Sequence, residues 1–270
     1  MSEADRHRLR EIFGQDANLY DRCRPGYPDA LFADLTTIAG LRPGARVLEI
    51  GPGTGQATAP LARLGSRVTA VEISPAMAAV ARRRLAGWAD VEVVVGAFEE
   101  WPLPTMPFDL VLSATAFHWV DPGVRVRKSA QALRPDGTLA VVSTHHIRGG
   151  TQHFFEEVQP CYERFDPDTP PGLTLVSSED IPQEAGEFDD SGEFGSVDFR
   201  CLEWDATYST SGYLNLLATY SNHRALPAPA RTGLFRCIGA LIEQRYNGHI
   251  TKRYLTQLAT AQRREAAAGL

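Results

Sequence analysis

RVLEIGPGTGQ (46–56) decides the fold of this chain. Arg46 to Ile50 is a short strand-forming run, three glycines follow at 51, 53 and 55, and a helix comes next. Glycine reaches positive φ and lets backbone approach a ligand closely, while free N–H groups at a helix start favour a negative or polar group. The next strand, RVTAVE (67–72), ends on Glu72, 17 residues past Gly55. A carboxylate there can accept both hydroxyls of a ribose. Strand, glycine loop, helix, strand and acid together make a nucleoside-binding unit.

The rhythm continues outward. VEVVVG (91–96), FDLVLSA (108–114) and GTLAVVST (137–144) alternate with helical stretches, which predicts an α/β fold with a doubly wound, mostly parallel sheet. Ser74 can cap a helix whose first position is Pro75 and which Gly87 closes; Gly40 and Gly65 end two others, and Pro135-Asp136-Gly137 turns into the fifth strand. From 145 to 198 the pattern breaks into one helical candidate, TQHFFEEVQPCYERF, and a proline-rich, acidic stretch that reads as a solvated loop or a substrate lid. FRCLEWDATY (199–208) and HITKRYLTQLA (249–259) then finish the sheet, with two helices within 212–222 and 227–246.

The 270 residues fit one large α/β domain with an insertion. Acids outnumber bases 33 to 27, and the resulting charge of −6 has the wrong sign for a general nucleic-acid binder. All the bases are arginine except Lys128 and Lys252. No apolar run approaches a membrane span of about 18 residues, and the opening MSEADRHRLREIF is charged where a signal peptide would be apolar. A cytoplasmic location is expected, with no membrane or nucleic-acid partner. Cys23, Cys161, Cys201 and Cys237 are widely spaced without a C-x-x-C pair, so four reduced thiols are expected, with neither a zinc cage nor a disulfide framework.

A dinucleotide fingerprint needs Gly or Ala at the sixth position counted from Gly51, where Gln56 stands. The run E-x-G-x-G-x-G instead resembles the first motif of class I S-adenosylmethionine (SAM)-dependent methyltransferases. YDRCRPGYP (20–28), VEISPAMAAVARRRL, VVVGAFEEWPLP and FDLVLSATAFHWVDP are similar to the UbiE-like and trans-aconitate-methyltransferase-like members, and the tail matches more loosely. The resemblance implies a Rossmann-like fold with a seven-stranded sheet and a cap insertion after strand five. It divides one methyltransferase domain, 1–270, into an N-terminal strap and helix (1–40), a SAM-binding core (41–145), a cap insertion (146–198) and the last two strands with their helices (199–270).

By that resemblance Gly51, Gly53 and Gly55 line the methionine and ribose portion, Glu72 holds the ribose hydroxyls, and Ile73 and Met77 pack on the adenine. Ala97 and Phe98 flank its other face. Many relatives carry Asp at the position of Ala97, so the adenine amino contact is lost or passes to Glu99. Ser113 and Ala114 meet the methionine end, over which Tyr20 and Arg24 close, and His118 is a base, a polar cofactor contact or a packed loop residue.

Histidines stand where ligands sit in open parallel sheets, beyond the strand ends: His118 after strand four, His145 and His146 after strand five. Each is a candidate catalytic base, and His145 and His146 face opposite ways if the strand continues. No acidic partner is fixed for a metal. Trp204, Tyr208, Tyr213 and Tyr220 line an acceptor pocket or belong to the core; His223 and Arg224 read as solvent-facing helix-end groups. The expected function is SAM-dependent methylation of a small-molecule acceptor by a monomer or homodimer. A SAM-binding protein without turnover and a nicotinamide oxidoreductase are the alternatives.

Overall fold

The computed structural model describes residues 16–265 apart from 167, 168, 171 and 173. The first fifteen residues, which include the whole charged opening segment MSEADRHRLREIF, lie outside the described residues. The helices are α1 (Ala17–Cys23), α2 (Asp29–Ile38), α3 (Thr58–Arg63), α4 (Pro75–Arg84), α5 (Pro122–Ala132), α6 (Gln152–Glu157), α7 (Gln159–Phe165), α8 (Gly186–Ser191), α9 (Thr210–Leu217), α10 (Ser221–Ala225) and α11 (Ala228–Arg245). The strands are β1 (Arg46–Ile50), β2 (Arg67–Glu72), β3 (Val91–Val95), β4 (Phe108–Ala114), β5 (Leu133–His146), β6 (Asp198–Ser209) and β7 (His249–Gln262).

The chain separates into two compact units. One, here the cofactor unit, comprises Pro25–Thr144, Gln183–Leu202 and the described residues from Thr256 onward. It holds at least part of all seven strands, in the order β3-β2-β1-β4-β5-β7-β6. The pairings from β3 to β5 are parallel. Side-chain residues alternate between faces as the pleat requires: Val47, Leu110, Leu112, Ala140 and Val142 join α2, α3 and α4 in one core, while Leu48, Ile50, Val111 and Leu139 join α5 and α8 in another. Both faces of the sheet are therefore covered, the doubly wound arrangement expected of parallel strands.

The other unit comprises the described residues up to Arg24, with His145–Pro182 and Glu203–Leu255. Its core packs Phe154, Phe155, Tyr213, Leu216, Leu234, Ile238 and Ile242 from α6, α9 and α11. The single helix expected over 151–165 is two, α6 and α7, because Pro160 has no N–H to return to the preceding turn. Cys161 and Cys237 form a disulfide between α7 and α11, which corrects the expectation of four reduced thiols; Cys23 and Cys201 are free. His223 is buried rather than solvent-facing, its Nε2 3.1 Å from the Tyr162 hydroxyl.

Candidate active site

The strand order reverses between β1 and β4, and at that switch point the ends of parallel strands leave a crevice for ligands. Gly51, Gly53 and Gly55 take φ of +67°, +60° and +93°, a region that residues with a Cβ enter at a cost. The Gly51 N–H donates to the Val71 carbonyl at 2.9 Å. A Cβ built on Gly51 would meet that of Ala116 at 2.6 Å, so the loops after β1 and β4 touch where a side chain would hold them apart.

Glu72 ends β2, and its carboxylate accepts from the Gly53 N–H at 3.0 Å and from the Ser74 N–H at 2.8 Å. One acid thus ties the glycine loop to the start of α4, where the Ser74 hydroxyl caps the Met77 N–H. Ile73 stands 39% exposed beside it, while Met77 is buried. At the end of β3 the Gly96 N–H donates to the Glu72 carbonyl at 2.9 Å. Ala97 is half-buried. The Phe98 ring enters the core on the α5 face, with the Lys128 ammonium 5.4 Å from its centroid. Glu99 accepts from the Asp121 N–H at 3.1 Å, so its carboxylate braces the loop into α5.

The Ser113 hydroxyl is fully buried and donates to the Ile50 carbonyl at 3.1 Å, stitching β4 to β1. Ala114 is half-buried at the strand end. Thr115 follows at φ +58°, uncommon for a β-branched residue, with its hydroxyl 3.0 Å from that of Tyr27. His118 lies exposed in the 3-10 turn Phe117–Trp119, its ring centroid 4.8 Å from that of Trp119. Desolvation of the ring by its neighbours, helped by the Arg125 guanidinium, lowers its pKa below the ordinary imidazole value. The shift favours the neutral imidazole, the form a base needs.

Under the glycine loop lies Glu49, 1% exposed, with one carboxyl oxygen lacking any hydrogen-bond partner. Burial pushes its pKa up to about 7; the nearby Thr58 hydroxyl opposes the rise and the Glu72 charge adds to it. Two acids, Glu49 and Glu72, flank a loop of otherwise neutral residues. The sequence marked Glu49 only as the first letter of the motif; Tyr27 and Thr115 carried no signal of their own.

The remaining candidates belong to the other unit. The Arg24 guanidinium sits 5.1 Å from the Tyr20 ring centroid and 4.3 Å from that of Tyr220. His145 is half-buried, and burial lowers its pKa. His146 packs edge-on against Phe155 at 4.3 Å, and burial together with the Lys252 charge lowers its pKa to about 2. The structure therefore places His118 in one unit and His145 with His146 in the other. Among the described residues no three His, Cys, Asp or Glu side chains are gathered as a metal site would need.

Residues 48–141 match the family model described as a methyltransferase domain. An uncharacterised methyltransferase of Mycobacterium tuberculosis is 39% identical over 223 residues, spanning 82% of this chain and 81% of the relative. The chain belongs to the class I SAM-dependent methyltransferases. S-adenosylmethionine is its cofactor. A malonyl-[acyl-carrier protein] O-methyltransferase of Acetivibrio thermocellus is 28% identical over 230 residues, covering 82% of this chain and 81% of that one. A phosphoethanolamine N-methyltransferase of Haemonchus contortus, solved with S-adenosylhomocysteine, shares the fold with a TM-score of 0.55 at 17% identity, over 95% of this chain and 60% of its own.

The residues present fit the cofactor. A glycine loop at positive φ, the Glu72 carboxylate at the end of β2 and an exposed Ile73 beside it are the groups that could hold the nucleoside side. The orphaned, buried oxygen of Glu49 gives a cationic amino-acid end something to satisfy.

Proposed function

We propose that this methyltransferase moves the methyl group of S-adenosylmethionine by in-line displacement to a small-molecule acceptor, in the cytoplasm, as a monomer or homodimer. The observation that carries the reading is the Glu72 carboxylate held 3.0 Å from the Gly53 N–H at the β1–β4 crevice. In this reading Glu72 grips the ribose, Gly51, Gly53 and Gly55 let the backbone close on the ligand, Ile73 and Met77 bear on the adenine, and the Ala97–Phe98 backbone borders its other face. Ser113 acts through the strand end it fixes. When bound, the cofactor supplies a methyl group on a positively charged sulfur. Alignment of donor and acceptor is worth on the order of 7–11 kcal/mol without any group taking a proton. Where the acceptor must lose a proton, His118, His145 and His146 are the candidate bases, for a gain of roughly 10²–10⁴-fold.

In this reading residues 1–270 serve as one methyltransferase domain, with 1–40 as the candidate strap, 146–198 as the candidate cap, and Tyr20 and Arg24 as candidates for the methionine end of the cofactor. Among the described residues no helix is long and apolar enough to cross a membrane. The small-molecule acceptor is favoured by the net charge of −6, which repels phosphate backbones. The test is calorimetric titration of the protein with S-adenosylhomocysteine and with NAD, for the natural protein and for Glu72→Ala. Binding of the first, weakened at least tenfold by the substitution, is expected; binding of NAD alone overturns the reading. Label from methyl-tritiated cofactor should enter the low-molecular-weight filtrate of a cell extract rather than its protein or nucleic acid.

A further inference from the structure

Part of the acidic stretch that reads as a loop or lid, Gln183–Leu202, belongs to the cofactor unit and carries α8. Phe188 of α8 is buried in the core that Phe117, Val120 and Val126 share. Beside it, the Glu187 carboxylate accepts from the guanidinium of Arg125 on α5, from Nε at 2.7 Å and from Nη2 through a second contact. The Arg125 side chain is only 15% exposed. A two-point pair of this kind, partly out of water, holds a guanidinium more firmly than a single surface contact does.

The remaining nitrogen of the fork, Nη1, donates to the Phe117 carbonyl at 2.9 Å and to the Val120 carbonyl at 3.4 Å. Those two carbonyls bracket His118 and Trp119. The guanidinium also lies 5.1 Å from the Phe117 ring centroid. The turn's own bonds run from the Trp119 N–H to the Ala116 carbonyl at 2.9 Å and from the Val120 N–H to the Phe117 carbonyl at 3.1 Å. A lone 3-10 turn has poor hydrogen-bond geometry, so a cation bonded to both of its ends fixes what the backbone alone holds loosely. Other charges nearby are engaged on backbone: Glu99 on the Asp121 N–H, Asp121 on the Gly123 N–H, and Lys128 on the Glu99 and Trp101 carbonyls. Arg125 is the one that acts on the His118 ring, and after desolvation its charge is the second cause that disfavours the protonated imidazole.

We propose that Arg125, clamped by Glu187, is a positioning residue for His118: it holds the Phe117–Trp119 turn at the carboxyl end of β4 so that the imidazole stands ready to take a proton from the methyl acceptor. This deepens the methyltransferase reading and rests on it in taking His118 as the base. Helix α8 thereby serves the reaction through Glu187 without itself touching a substrate.

The test is histidine-ring NMR of the intact, ligand-free protein across a pH titration, together with amide hydrogen exchange. His118→Gln identifies the His118 signal by its loss. Arg125→Met should raise the His118 titration midpoint and speed exchange of the Trp119 and Val120 amides about tenfold or more, the worth of a lost hydrogen bond from a charged group, with the Leu112 amide in β4 unchanged. Arg125→Lys keeps the charge and loses the fork, so the midpoint should stay near that of the natural protein while the two amides still exchange faster. Glu187→Ala, a change at a half-exposed side chain, should speed the same two amides and keeps the test decisive if Arg125→Met does not fold. A midpoint unmoved or lowered in Arg125→Met, a midpoint that rises as far in Arg125→Lys, or amides no faster in the variants overturns the proposal. Added S-adenosylhomocysteine should shift the His118 signal; binding seen by calorimetry without that shift also overturns it. Failure of S-adenosylhomocysteine to bind sinks the methyltransferase reading instead, while the ligand-free titrations still judge the role of Arg125.

Discussion

Replacing Glu49 by Gln changes how stability depends on pH. The carboxyl of Glu49 titrates near 7 in the folded protein, because burial disfavours its charge, against 4.5 for an unperturbed glutamate. The folded state therefore holds the proton more tightly than the unfolded chain does. Below about pH 4.5 this costs nothing; as pH rises to 7, unfolding releases the proton and stability falls, by about 3 kcal/mol when the shift is converted. Gln has nearly the same shape and no proton to release. Urea unfolding of both proteins at pH 5 and pH 8, without cofactor, should show the variant gaining most of that difference on going to the higher pH. In thermal unfolding the same gain is roughly 5 °C for a chain of this length. Tryptophan fluorescence suits the measurement, since Trp88, Trp101 and Trp119 all lie in the unit that contains Glu49. A stability difference between the two proteins that is the same at both pH values would refute the reasoning, because it would mean that Glu49 titrates alike in the folded and unfolded states.

Two further outcomes are expected. Gly51→Ala forces a Cβ to within 2.6 Å of Ala116 at a φ of +67°, so it should lower stability by about 1–3 kcal/mol and weaken S-adenosylhomocysteine binding at least tenfold, as read by denaturation and calorimetry. Reducing the Cys161–Cys237 bridge, whose cysteines are 76 residues apart, should cost about 4.5 kcal/mol by the loop-entropy rule; denaturant titration with and without dithiothreitol, and of Cys161→Ser with Cys237→Ser, measures it.

What the sequence disclosed was local. The β-branched runs became strands, and the Ser74-Pro75 cap formed as expected, with the hydroxyl on Met77. The three glycines adopted the positive φ that their spacing suggested. Gly87 did not close α4, which ends earlier with Leu85 at its C-cap, so the glycine falls in the following turn. Ser113 shows the limit of motif reasoning: the residue stands at the expected strand end, yet its hydroxyl is spent on the Ile50 carbonyl. The disulfide and the Arg125–Glu187 pair were illegible for one physical reason. Their partners are brought together by helix packing rather than by spacing, and neither a lone cysteine nor a lone arginine records in its neighbours what it will meet. Pro160, by contrast, marked the helix break within the run 151–165 directly, because it has no N–H to give to the preceding turn.

The contact between Arg24 and the Thr219 carbonyl joins residues 195 positions apart, and both belong to a unit drawn from three separate stretches of chain. On the ribosome, helix α1 emerges early and then waits for α9 and β7, while the five parallel strands between them have everything they need to assemble. Helix α1 is thus among the last of the described elements to find its place. During that interval α1 is the natural target for a protease or a chaperone, and slowing translation late in the message should lengthen its exposure without disturbing the parallel strands already formed.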